Sequence, residues 1–75
     1  MIVDNKEIIG VIGITNTISL CVLELDEVGE RIKTQFRSDR WLGNAGWCKI
    51  KYDRDGNAYF NKNNTKFNLG EIMRA

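Results

Sequence analysis

Two cysteines, Cys21 and Cys48, are the strongest nucleophiles in the chain, and the chain has no histidine to activate either. A thiol attacks as its thiolate, which needs a nearby base, cation or helix N-terminus. Both cysteines instead lie inside apolar runs, and neither belongs to a Cys-x-x-Cys pair. They read as buried structural thiols in a reducing cytosol; a Cys21–Cys48 disulfide is the rival that spacing leaves open. Without histidine, Ser-His-Asp triads, His proton shuttles and Cys2His2 zinc sites are excluded. Asp53, Asp55 and Gly56 have the carboxylate spacing of a calcium loop. The register fails, because Lys51 and Lys62 then occupy the first and twelfth ligand positions, where carboxylates are required. A hairpin turn is the better reading. Gly10 and Gly13 lack the Gly-Lys-Ser/Thr ending of a phosphate loop and are read as strand glycines. No catalytic, cofactor or metal residue is assigned, and the chain is expected not to be an enzyme.

Charge is the more informative signal. Residues 1–30 hold six acids against one base, and residues 31–75 hold ten bases against four acids. In the basic part, cations are interleaved with Trp41, Trp47, Tyr59 and Phe60, a mixture that single-stranded nucleic-acid surfaces use, with cations for phosphates and rings for bases. The sequence pI of about 7.8 falls short of the value above about 9 typical of dedicated nucleic-acid domains. Polar outer faces of strands explain most of these charges without a ligand. Trp41, beside Arg40 in a stretch rich in glycine, stands out, since Trp and Arg most often anchor protein interfaces. Its alternative role is a lid over an open end of the sheet. The partner-binding set is therefore Arg37, Arg40, Trp41, Trp47, Lys49 and Lys51.

These residues must be positioned by a small fold. Seventy-five residues suffice for one domain, residues 1–75, and Ile, Leu, Val and Phe supply 21 of them, enough for a folded chain. A core this small stabilises by only about 3–5 kcal/mol, so homodimerisation is one way to cover apolar surface. Met1–Glu7 carries Asp4 and Glu7 against Lys6, the wrong charge for a secretory leader, and a cytoplasmic location is expected. The apolar stretch 8–25 is broken by Thr15, Asn16, Thr17, Ser19 and Glu24, so no membrane span is expected.

The β-branched run Ile8–Ile14 predicts a central strand, with Asn16 and Thr17 turning the chain into a second run, Ile18–Leu25. Ile32, Thr34 and Phe36 alternate with Arg31, Lys33, Gln35 and Arg37, which predicts a half-buried strand with a basic outer face. A helix across 18–36 is the rival, because Ile18, Val22, Leu25, Val28, Ile32 and Phe36 also fit helical spacing. Residues 38–46 have no period and read as a loop or a single helical turn capped by Ser38. Alternation resumes at Trp47–Tyr52, placing Cys48, Ile50 and Tyr52 opposite Trp47, Lys49 and Lys51. Asp53–Asn57 then predicts a hairpin turn, and residues 61–64 a polar turn. Asn68 and Glu71 resemble a capping box for a short helix over Leu69–Arg74. The expected core is Ile12, Ile14, Leu20, Val22, Ile32, Phe36 and Ile50.

Together these readings predict a mainly β chain of the β-rich α+β kind, as a small antiparallel meander or a partly open SH3-like or OB-like barrel with a short C-terminal helix. The expected function is a non-enzymatic protein-binding module, an inhibitor or regulator of a host macromolecular machine. Size and Asn, Ile and Lys richness resemble the small proteins of phages and mobile elements. The alternative is a single-stranded nucleic-acid binder using the basic and aromatic residues of 31–66.

Overall fold

The computed structural model describes residues 2–72 and is mainly β, with 59% of residues in strands and 4% helical. Three antiparallel sheets form it, and no barrel closes. A two-strand hairpin joins β1 (Ile2–Val3) to β2 (Lys6–Glu7). A four-strand meander follows, of β3 (Gly10–Gly13), β4 (Ser19–Leu25), β5 (Arg31–Arg37) and β6 (Trp41–Lys49) in that spatial order. Strands β7 (Lys51–Tyr52), β8 (Ala58–Lys62) and β9 (Thr65–Asn68) make the third sheet, and one 3-10 turn covers Leu69–Glu71.

Turn chemistry explains most of the connections. Asp26 and Asp53 each open an Asp-x-x-Gly turn in which the glycine N–H donates to the aspartate carbonyl at 3.1 Å. Gly29 (φ 73°) and Gly56 (φ 81°) take the left-handed conformation these turns demand. The aspartate side chains finish the job: Glu30 N–H donates to Asp26 Oδ1, and Asp55 and Asn57 N–H donate to Asp53 Oδ1. Asn63 and Asn64 both have positive φ, as a two-residue hairpin loop requires, and join β8 to β9. Asp4 and Asn5 do the same for β1 and β2, a hairpin that the sequence reading missed. The β3–β4 turn is built differently from expectation. Thr15, not Asn16, organises it, its Oγ1 accepting the Thr17 and Ile18 N–H groups at 3.2 and 3.0 Å.

The core lies between the meander and the third sheet. Ile12, Leu20, Val22 and Ile32 meet Phe60 and Phe67, with Ile50 at the junction where the chain leaves β6 for β7. Phe60 and Phe67 are directly paired across β8 and β9 and stack with centroids 5.4 Å apart. A bulge at Leu23 adjusts the register of β4, so that Leu25 pairs with Ile32 and Glu24 with Lys33.

Several expectations are corrected. The Ile8–Ile14 run is not central: β3 lies at the edge of the meander. Ile14 is 41% exposed because β3 ends at Gly13 and Ile14 opens the turn. Phe36 is half-buried, packed against the core rather than inside it. Residues 38–46 are largely strand, not loop, since β6 begins at Trp41. Their missing period has a cause: Gly43, Asn44 and Ala45 lie between the Leu42 and Gly46 pairings, facing only Gln35. No helix crosses 18–36; β4 and β5 each supply alternate core residues, which imitates helical spacing. Asn68 makes no side-chain cap bond, and only a 3-10 turn forms after it. The rest of the expected C-terminal helix, residues 73–74, lies outside the described residues.

Candidate functional site

Residues paired across antiparallel strands share a face, so the register defines what the meander presents away from the core. On that second face lie Val11, Cys21, Glu24, Gln35, Lys33, Arg31 and Arg37, joined from β6 by Trp41, Trp47 and Lys49. The β1–β2 hairpin covers one end of it. Lys6 Nζ donates to Gln35 Oε1, Gln35 Nε2 donates to the Gly43 carbonyl at 2.8 Å, and Asp4 pairs with Arg37 at 3.5 Å. Ile8, immediately after the hairpin, is buried and is one of the core residues that the sequence reading overlooked.

Trp41 lies under this cover. It is half-buried on β6 directly opposite Arg37, with the Lys6 ammonium 4.8 Å and the Arg37 guanidinium carbon 5.5 Å from its ring centre. At the uncovered end, Trp47 is 45% exposed. It pairs directly with Lys33, and the next pair on the same face is Arg31 with Lys49. One exposed ring is thus bordered by three cations, of which Lys33 also faces Glu24 on β4, and the positive balance suits an acidic group.

The other predicted partner-binding residues disperse. Arg40 is exposed in the Ser38–Arg40 turn, and Arg37 is tied to the Ser38 carbonyl and Asp4. Lys51 belongs to the third sheet and pairs with Tyr59, so it does not continue the Trp47–Lys49 row. The expected shared face fails because the chain changes sheets at Ile50, and Tyr52 ends 67% exposed. Phe60 is a fully buried core ring, and Tyr59 lies under Lys66 at 4.6 Å. Lys62 turns to the opposite side, donating to Thr34 Oγ1 and carbonyl at 2.9 and 3.1 Å with its ammonium over Phe36. Lys33 and Arg31 are the site residues the sequence list omitted, although their alternation with Ile32 and Thr34 already placed them on the outer face.

Burial raises the Cys21 thiol above its ordinary pKa of 9.0, and the nearby Arg37 charge opposes this more weakly. Such a thiol is protonated and inert at neutral pH. Both cysteines are free; Cys21 is buried and Cys48 is half-buried. Among the described residues, no group of three His, Cys, Asp or Glu side chains is placed to hold a metal ion. No helix among them is long and apolar enough to cross a membrane. An open apolar cleft of about 510 Å³, lined by Ile9, Val22, Leu25, Ile32, Leu69 and Ile72, lies away from the basic face. Compared with protein-family models, curated proteins and solved structures, the chain matches none.

Proposed function

We propose that this protein is a non-enzymatic binding module that takes an acidic protein partner on the open end of the second face, acting as an inhibitor or regulator of a larger assembly. The observation that carries this is Trp47: half-exposed, directly opposite Lys33 and adjacent to the Arg31–Lys49 pair. An exposed Trp ring with cations around it has the chemistry of an interface anchor. The inhibitor or regulator role rests on size and composition alone. The nucleic-acid reading is weaker because the rings do not form a stacking row. Trp41 is covered by Lys6 and Arg37, Tyr59 lies beneath Lys66, and Phe60 is in the core. One open ring is a poor platform for successive bases.

The test is capture from nuclease-treated lysate, with identification of the captured protein, alongside oligothymidylate binding. Trp47→Ala is expected to weaken capture of an acidic protein by about 2 kcal/mol or more. Lys33→Glu with Lys49→Glu should abolish it, while oligothymidylate binds no tighter than the nonspecific range of about 10⁻⁴–10⁻⁶ M. Undiminished capture by Trp47→Ala would overturn the reading. Nanomolar oligothymidylate binding, lost on the lysine substitutions, would replace it with the nucleic-acid reading.

A further inference from the structure

Beneath the β1–β2 hairpin, Arg37 and Trp41 stand directly opposite each other on β5 and β6. Each holds a buried N–H, Arg37 Nε and Trp41 Nε1, with no hydrogen-bond partner among the described residues. Folded proteins leave few buried donors unpaired, so two on one cross-strand pair point to a ligand that supplies acceptors. The surrounding charges say which kind. Two cations, Lys6 and Arg37, border the Trp41 ring, and the carboxylate paired with Arg37 is Asp4. That contact is loose: 3.5 Å from an exposed side chain, against about 2.7–2.9 Å for a well-formed charge-assisted bond. Arg37, though not Trp41, also lines a cavity of about 180 Å³ with Thr17, Ser19, Ile8, Val11 and Cys21. This volume suits one side chain and falls below the roughly 300 Å³ of ordinary small-molecule pockets.

We infer that the Arg37–Trp41 pair is a binding site for the carboxylate of a partner's Asp or Glu side chain, and that Asp4 is the internal carboxylate that covers it. The inference rests on the acidic-partner reading and adds a second contact at the far end of the same face from Trp47. Entry requires the hairpin to lift. Its strands are two residues each, and its polar ties to the meander include Lys6 to Gln35 and the long Asp4–Arg37 contact. A docking carboxylate replaces Asp4 on the guanidinium and accepts from the two N–H groups.

Nitrogen-15 NMR of the full chain reads this directly, because the Arg37 Nε–H and both tryptophan indole N–H groups give side-chain signals. The probe is a triglutamate peptide blocked at both ends, with blocked triglutamine and sodium chloride at equal ionic strength as references. Triglutamate is expected to shift the Trp41 and Arg37 signals saturably, and the references are not. Asp4→Asn, which removes the charge while keeping a residue that tolerates the positive φ of this turn, should tighten triglutamate binding about 2- to 5-fold, the worth of a surface ion pair removed as competitor. Arg37→Gln should abolish the Trp41 shift. The site is overturned by equal shifts with triglutamine or chloride, by no saturable shift in either chain, or by no tightening in Asp4→Asn. Shifts confined to Trp47 would overturn this site while supporting the acidic-partner reading.

Discussion

Asp53 shows how much one side chain contributes to a hairpin. Its Oδ1 accepts two backbone N–H groups at 2.9 Å, and these bonds, Asn57 first, hold its carboxyl pKa below the ordinary 3.8; burial opposes them and Asp55 adds to them. A carboxylate with a lowered folded pKa stabilises the fold above its unfolded pKa, and that contribution is lost as pH falls through the folded value. The β7–β8 hairpin is therefore expected to weaken in acid below the ordinary carboxylate range. Hydrogen exchange at the Asn57 amide, followed against pH, checks this. Asp53→Ala should show faster exchange at neutral pH and little further acid dependence; protection unchanged by the substitution would show that Gly56 and the strand pairing hold the turn alone.

Among the elements, the junction between β6 and β7 decides how the two sheets are joined. Ile50 buries its side chain in the core while its N–H donates to the Glu30 carbonyl at 2.8 Å, so one residue tethers β6 to the β4–β5 turn and starts the third sheet. Ile14, equally β-branched and in an equally apolar run, ends outside because its strand stops one residue earlier. The pair gives a controlled comparison. Ile50→Ala should cost about 2–5 kcal/mol through the cavity it opens. Ile14→Ala should stay within about 0.5 kcal/mol, as a surface change does. Urea unfolding of both variants measures the difference, and equal losses would mean that the edge strand is packed more deeply than its exposure indicates.

At the scale of the molecule, two sheets share one small core, and the second face of the meander carries the charge. A single core of this size stabilises by about 3–5 kcal/mol, the same range that loss of a buried Phe ring costs. Phe60→Ala, which removes a fully buried ring and its stacking partner's contact, should therefore leave the chain largely unfolded at 25 °C. The strand-type circular dichroism of the parent is the reference signal. A cooperative melt in the variant would place more of the stability in the meander and its covering hairpin than in the contact between sheets.

The sequence alone was enough for the strand-rich class, the 31–37 strand, the Asp53–Asn57 hairpin and the burial of Ile12, Leu20, Val22, Ile32 and Ile50. These follow from period-two alternation and from turn residues whose backbone preferences are local. It also showed that the second half of the chain is basic, but not where the cations go. Only the tertiary structure decided that Phe60 and Phe67 are core rings, that Trp41 is half-buried beneath Lys6, and that Lys51 leaves the row of Trp47 and Lys49. Each of these turns on a long-range event: a change of sheet at Ile50, extra residues of β6 facing Gln35, and an N-terminal hairpin folding back over β5 and β6. Local periodicity carries no record of such events, because a residue's alternation fixes its face within a strand but not which other strand, or which charge, comes to lie against that face.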